Sequence, residues 1–320
     1  MDSNLPRFVW IGLIAVLLVL PLFVEDSYIR HLFITAFLYA VIASNWDLTL
    51  GYAGIFNFGH LTFFGAGVYT AAITAKTFGI SPWLAIALGG LTAALIAAVL
   101  AAPVVRLKGI YVVLVTFAFS QLVLQVILSQ SQITGGAQGI VRIPYLSLGD
   151  YKFIRDYKLG YYYLALGLLS VSTLFLLWLA GTPFGKSLRA IRDNEDYARA
   201  RGISVSRQRM LAMVVSAVFT GVAGGFFAIY LRVASPDVFG FGALSLALSM
   251  VLIGGVGTIM GPILAALVLT FATETMAGIR GMEKARFIVV AVGMVLVLRF
   301  TPGGLLGVLG RLGIRQADRH

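Results

Sequence analysis

Apolar runs of about 20 residues recur along this chain, and they constrain its fold more than any other feature. A helix that crosses the ~30 Å hydrocarbon core of a bilayer needs about 20 mostly apolar residues. The runs are continuous and do not alternate, which favours helices over the strands of a membrane barrel. The pattern predicts about ten transmembrane helices, at 8–24, 28–50, 56–75, 82–102, 109–129, 160–180, 210–231, 243–258, 261–278 and 284–300.

Composition points to the same class of protein. Hydrophobic residues make up 59% of the sequence, charged residues 12%, and the mean hydropathy is +0.94. Soluble domains are nearer ~45–50% apolar and ~25% charged, so one water-soluble core could not bury these apolar side chains. We therefore predict an all-α polytopic membrane protein in which residues 1–320 form a single transmembrane domain. The first run lacks a small-residue cleavage pattern after it, which favours a retained span over a signal peptide.

Catalytic chemistry is not visible in the sequence. It contains no cysteine, which excludes disulfides and thiolate sites, and neither a metal-ligand spacing nor a nucleophile–base pairing is present. Residues 181–187 resemble a phosphate-binding loop, but three residues separate Gly181 from Gly185 where that motif needs four. We expect no cofactor or metal, and we expect any ATP hydrolysis to occur in a separate polypeptide.

A polar stretch at 181–209, called the basic segment below, separates two apolar runs. It carries seven Lys and Arg residues against three acidic ones, and loops this basic stay in the cytoplasm. The net charge of +11 therefore indicates membrane orientation and contact with anionic lipid, not nucleic-acid binding. An even number of spans then places both termini in the cytoplasm. Basic residues at 280–286 fall on the opposite side and weigh against this orientation.

The basic segment is compatible with one short amphipathic helix over about 185–201. Leu188, Ile191 and Ala198 fall roughly on one face of such a helix. Acidic and basic residues recur there at spacings of three and four, which stabilises a helix. Gly202 stands where the helix would end.

Glycines interrupt two of the apolar runs. The first glycine break, Gly51 to Gly54, lies within the run 28–75, and the second, at 254–257, lies within the run 243–278. Unpaired backbone at such breaks is tolerated only where protein or a water-filled cavity surrounds it. Paired breaks in the two halves of a transporter point to its pathway. Close helix packing through small residues explains the same glycines, and both interpretations stay open here.

Few polar residues fall within the spans. Asn57 and His60 follow the first glycine break, and Gln121 and Gln125 lie one helical turn apart on one face. Intramembrane polar groups are costly and usually face the interior of a helix bundle. For His60 we expect a hydrogen bond between helices, whereas the two glutamines fit packing and pore lining equally. The candidate pathway residues are Gly54, Asn57, His60, Gln121, Gln125, Gly255 and Gly257.

Five motifs occur in order along the chain. They are GYAGIFNFGHLTFFGAGVYTA at 51–71, RLKGIY at 106–111, TGGAQG at 134–139, AIRDNE at 190–195 and GGVGTIMGP at 254–262. Together they resemble the LivM-type permeases of high-affinity branched-chain amino-acid ABC importers. Asn57 departs from the serine or threonine that is frequent in this family, which could bear on substrate choice.

The resemblance implies an ABC importer permease fold that forms half of a translocation pathway in the bacterial inner membrane. It implies several partners: a second related permease, two cytoplasmic ATPase subunits and an extracytoplasmic substrate-binding protein. The chain itself is then not an enzyme. The basic segment corresponds to the loop that docks on the ATPases, and the residues expected to couple to them are Arg192, Asn194, Glu195, Asp196, Ala198 and Gly202.

Alternatives to branched-chain amino acids stay open within the same family, where related permeases carry urea, short amides or aromatic acids. The rival from another class is an ion-coupled secondary transporter. Such carriers place ionisable residues near the membrane midplane, and only Asp47 and Glu274 are candidates in this sequence.

Overall fold

The computed structural model describes residues 16–23, 26–148, 151–153, 158–277, 285–300 and 304. Residues 16–23 are helical and belong to the first predicted span, the rest of which lies outside the described residues. The helices that follow are α1 (Ser27–Asp47), α2 (His60–Lys76), α3 (Pro82–Val104), α4 (Ile110–Ser129), α5 (Ser131–Thr134), α6 (Leu159–Gly181), α7 (Pro183–Asp193), α8 (Glu195–Ala200), α9 (Val205–Leu231), α10 (Phe241–Gly254), α11 (Met260–Ala277) and α12 (Ala285–Phe300).

Short elements connect these helices. A π-helical turn, Leu48–Tyr52, continues α1, and 3-10 turns lie at Gly136–Gln138 and Pro236–Phe239. The strands are two residues long and pair antiparallel, β1 with β4 and β2 with β3. They are β1 (Ile140–Val141), β2 (Ser147–Leu148), β3 (Tyr151–Lys152) and β4 (Val233–Ala234).

Six helices among the described residues are long and apolar enough to cross a membrane. They are α1 with its π-helical continuation, α3, α4, α6, α9 and α11. Three other predicted spans correspond to shorter helices, since α2 has 17 residues, α10 has 14 and α12 has 16. The prediction of a helical polytopic membrane protein is confirmed, whereas the count of about ten spans is not.

Two compact units make up the chain. The first unit comprises residues 45–152 and 171–245, and the second comprises 1–44, 153–170 and 246–320. The single transmembrane domain that the sequence indicates for 1–320 stays a prediction.

Glycines bring α2, α3 and α9 into close contact in the first unit. A Cβ atom added at Gly67 would overlap the backbone of Gly221, and one added at Gly224 would overlap the carbonyl group of Phe64. A Cβ atom added at Gly89 of α3 would lie 3.2 Å from the Gly221 carbonyl oxygen. Small residues allow such backbone approach between membrane helices. The glycines that follow the first break therefore serve helix packing.

Hydrogen bonds connect the end of α2 and the residues after α9 to the segment 140–143. Ile140 of β1 pairs with Ala234 of β4. Lys76 Nζ donates to the Val141 carbonyl at 2.7 Å, and Arg232 Nε donates to the Ile143 carbonyl at 2.8 Å. These contacts join the α2 end, the segment 140–143 and the start of the chain after α9.

The second unit contains an aromatic cluster and the second glycine break. Phe33 packs on Phe271 with ring centroids 4.7 Å apart. Between α10 and α11, the Thr258 hydroxyl donates to the Gly255 carbonyl at 2.6 Å and accepts from the Gly261 N–H at 3.2 Å. Thr258 therefore satisfies an N–H group in the first turn of α11, and the predicted interruption of the apolar run is confirmed.

Candidate functional site

The first glycine break separates α1 from α2. The π-helical turn 48–52 is fully buried, and Gly54 follows with a φ of +67°. A left-handed φ of this kind suits glycine because other residues have a Cβ atom that clashes there. The predicted interruption is thus confirmed at this position too.

The basic segment folds as two helices, α7 and α8, so the prediction of one helix over 185–201 is wrong. Asn194 has extended backbone (φ −156°, ψ 104°), and its Oδ1 accepts a 2.9 Å hydrogen bond from the Tyr197 N–H. An asparagine in this role is a preferred N-cap, and here it outweighs the amphipathic spacing that the sequence displays.

Gly202 ends α8, as predicted. Its φ is +79°, its N–H donates to the Arg199 carbonyl, and the Ile203 N–H donates to the Ala198 carbonyl. These two bonds form the glycine-terminated helix end known as the Schellman motif.

Two arginines of α7 contact the first glycine break. Arg192 Nη1 donates to the Gly51 carbonyl at 2.6 Å. Arg189 donates to the Tyr52 hydroxyl at 3.2 Å, and its guanidinium lies 4.7 Å from that ring's centroid. Carbonyls at the end of a helix have no partner within the helix. Arg192 therefore completes the hydrogen bonding of a broken membrane helix from the basic segment.

Glu195 ties α8 to two neighbouring elements. Its carboxylate pairs with Arg209 of α9 at 3.1 Å, with Lys108 of the α3–α4 junction at 3.7 Å, and with Arg199 of α8. The Glu195 side chain is only 15% exposed. Ion pairs shielded from water in this way are stronger than those on an open surface.

The remaining predicted coupling residues divide into inward and outward ones. Ala198 is fully buried and packs with Ile191 and Val205 in a small core of the basic segment. Asn194, Asp196 and Gly202 are exposed. The side chain of Arg192 is 38% exposed, although its guanidinium reaches the break.

Tyr197 is a surface residue that sequence reasoning missed. Its side chain is 56% exposed on α8. The Arg201 guanidinium stacks 5.2 Å from its ring centroid and donates to its hydroxyl at 2.7 Å. An aromatic residue four positions before an arginine, inside a basic loop, was the available signal.

Asn57 and His60 are both fully buried. Asn57 Oδ1 accepts from the Gly59 N–H at 3.0 Å, just before α2 begins. His60 Nε2 lies 3.0 Å from the Thr220 hydroxyl of α9, and its ring stacks on Trp46 at 5.4 Å. The expected hydrogen bond between helices is therefore present at His60, while Trp46 and Thr220 were not predicted.

The other pathway candidates are distributed over both units. Gln121 and Gln125 share the exposed face of α4, as their spacing predicts. Gly255 and Gly257 have φ values of +109° and +82° and belong to the second unit, whereas Gly54 belongs to the first. Among the described residues, no group of three His, Asp or Glu side chains is placed to hold a metal ion.

Long apolar helices, two glycine breaks and a basic segment bound to one of them define a helical membrane protein of the transporter class. The chain belongs to the family described as the branched-chain amino acid transport system permease component, whose model matches residues 28–298.

Named relatives agree with the family match. The high-affinity branched-chain amino acid permease proteins LivM of Salmonella typhimurium and Escherichia coli are each 31% identical over 290 residues, 84% of this chain and 68% of theirs. LivH of Escherichia coli is 26% identical over 84% of this chain and 91% of its own. NupC of Lactococcus lactis, a nucleoside ABC transporter permease, is 30% identical over 55% of this chain and 59% of its own. No solved structure matches the chain.

Proposed function

We propose that this chain is a permease subunit of an ATP-driven importer of branched-chain amino acids and forms half of the translocation pathway. The observation that carries the proposal is the family match over 28–298, with LivM and LivH among the relatives. A second related permease supplies the other half, and a substrate-binding protein delivers the amino acid from outside. ATP hydrolysis occurs in two separate cytoplasmic subunits.

The exposed side of the basic segment suits contact with those ATPase subunits. Asn194, Asp196 and Tyr197 are exposed there, and Gly202 forms the tight helix end beside them. Glu195 and Ala198 face inward and hold the segment in shape. We therefore assign them a supporting role in coupling, beneath the surface that the ATPases contact.

Movement of the basic segment can reach the membrane helices through Arg192. Its hydrogen bond to the Gly51 carbonyl joins α7 to the end of a buried, broken helix. A displacement of α7 by an ATPase would pull on that end directly. This contact gives the coupling role of Arg192 a physical basis that lies inside the permease.

The proposal is tested by transport in proteoliposomes that contain this permease, a second permease, the ATPase subunits and a binding protein. The genes for these partners are sought beside the gene for this chain. We expect ATP-dependent uptake of labelled leucine that unlabelled isoleucine and valine suppress. Urea, short amides, benzoate and nucleosides serve as competitors for the alternative substrates. The assignment would be refuted if one of these competitors suppresses the ATP-dependent uptake of labelled leucine and valine does not.

The exposed face of α4 is proposed to line the route beside the second permease. Gln121 and Gln125 lie on this face among apolar neighbours such as Leu122. An amide in contact with lipid is costly because lipid offers it no hydrogen-bond partner. Protein or a water-filled route should therefore cover this face in the assembled importer.

Thiol labelling tests both this route and the orientation, because the chain has no cysteine of its own. In intact cells, an impermeant thiol reagent should label Ser147→Cys and not Ser206→Cys, since the basic segment is proposed to be cytoplasmic. In the assembled importer, a small hydrophilic reagent should modify Gln121→Cys. The apolar, exposed Leu174 of α6 provides the lipid-facing control, Leu174→Cys. Labelling at 206 but not 147 would reverse the topology, and equal protection at 121 and 174 would remove α4 from the route.

A further inference from the structure

A cavity of about 220 Å³ lies in the first unit between the first glycine break and the basic segment. Its walls come from residues 54–56, from the α3–α4 junction between 104 and 112, and from Glu195 and Arg209. A water molecule needs roughly 10–15 Å³ of such volume. The cavity therefore has room for a small organic molecule.

Branched and aromatic side chains form much of the cavity wall. These apolar lining residues are Ile55, Phe56, Val104, Leu107 and Val112. Ligand sites generally combine an apolar lining with a few polar groups that fix orientation. This lining suits an aliphatic chain and disfavours a strongly hydrated solute.

The charged groups at the cavity carry an excess of positive charge. Lys108 and Arg209 line it, and both pair with Glu195, which also pairs with Arg199. Three cations thus share one carboxylate within this cluster. Because Glu195 and Arg209 are 15% and 14% exposed, water screens their charges weakly. A carboxylate entering the cavity would balance the excess with charge-assisted hydrogen bonds.

We propose that this cavity binds a branched aliphatic carboxylate from the cytoplasm and that the bound ligand slows the transport cycle. Lys108 and Arg209 hold the carboxylate, and Val104, Leu107 and Val112 surround the branched chain. The ligand class includes branched-chain amino acids and their 2-oxo acids. The inhibitory role rests on the proposed function, under which the imported amino acid accumulates on this side of the membrane.

Inhibition follows from the structural elements that form the cavity walls. Gly54 is part of the first glycine break, Glu195 is part of the basic segment, and Lys108 lies between α3 and α4. A ligand that touches all three holds together elements that have to move against one another when an ATPase displaces the basic segment. Import would then decline as product accumulates.

The test uses the assembled importer in nanodiscs, where both faces are open to solution. ATP hydrolysis is first driven to its maximum with leucine-loaded binding protein, and leucine or 4-methyl-2-oxopentanoate is then added at millimolar concentration. We expect hydrolysis to fall about fivefold or more, and the stronger inhibitor identifies the physiological ligand. Isoamylamine lacks the carboxylate and acetate lacks the branched chain, so neither should inhibit.

Two variants locate the effect. Lys108→Gln removes a cation whose side chain is 66% exposed, and Val112→Phe fills the apolar part of the cavity. Each variant is compared with its own uninhibited rate, and Lys186→Gln, at an exposed lysine of α7, is the matched control. The half-inhibitory concentration should rise about fivefold in Lys108→Gln, the upper end for a charge contact at an exposed side chain. It should rise at least as much in Val112→Phe, whose ring occupies the space of the branched chain, and should not change in the control.

Protection of a thiol from chemical modification measures ligand binding directly. Phe56→Cys places a thiol on the cavity wall, and bound 4-methyl-2-oxopentanoate should slow its modification. The proposal would be overturned by equal inhibition in all variants or by absence of protection. Loss of ATPase subunits from Lys108→Gln would also overturn it, because the cavity would then belong to the ATPase interface. Protection in an importer that does not carry branched-chain amino acids would refute the proposed function and keep the cavity site.

Discussion

Replacing Arg192 with glutamine should separate ATP hydrolysis from transport. The change removes the 2.6 Å charge-assisted bond to the Gly51 carbonyl, a type of interaction worth about 1.5–3 kcal/mol. Without it, α7 keeps only the Arg189 contact with Tyr52, so under the proposed function less of its movement reaches the end of the broken helix. We expect uptake to fall about tenfold or more, as such an energy implies, while the complex still assembles and hydrolyses ATP. The measurement is leucine taken up per ATP hydrolysed in proteoliposomes.

Arg207→Gln is the matched control for this prediction. Arg207 is an exposed arginine in the same basic segment, so its replacement removes the same charge away from the glycine break. It should transport at the wild-type ratio. If Arg192→Gln loses its ATPase subunits during purification, Arg192 acts at the ATPase surface instead. Normal uptake per ATP in that variant would exclude a coupling role for the contact.

Hydropathy predicts the class of this protein because bilayer thickness dictates the length of each apolar helix. It predicts the ends of the helices less well. The predicted span 243–258 corresponds to α10, Phe241–Gly254, because the second glycine break ends the helix four residues early. Local signals with one strong physical cause were reliable, as at Gly202, where the left-handed conformation favours glycine.

Contacts between distant residues were beyond the reach of sequence patterns. Arg192 and Gly51 are 141 positions apart, and helical periodicity reports only on neighbours three or four residues away. Ala198 shows a different limit. Its residue type fits both an apolar face and a partner contact, and its packing with Ile191 and Val205 shows that it is buried within the segment. Asn194 illustrates a competing local effect, since its capping bond divides a helix that periodicity would continue.

The close contact of α2 with α9 should be sensitive to a single added methyl group. In Gly67→Ala, the new Cβ atom meets the carbonyl group and Cα of Gly221. Backbone atoms of a packed helix cannot rotate away as a side chain can, so the helices must separate. Overpacking in a well-packed core costs about 1–3 kcal/mol, and sometimes more. We expect much less folded permease and a lower melting temperature, measured by size-exclusion chromatography with fluorescence detection.

The matched control for that variant is Gly167→Ala on α6, where nothing lies within 4 Å of the added Cβ atom. Alanine is favoured over glycine in a helix by up to about 1 kcal/mol, so this variant should be as stable as the original or slightly more so. The contrast isolates packing from helix propensity, because both substitutions are chemically identical. Wild-type stability of Gly67→Ala would show that α2 and α9 are further apart in the membrane than this structure has them. The glycines after the first break would then need another explanation, and lining of the transport route would be the one to test.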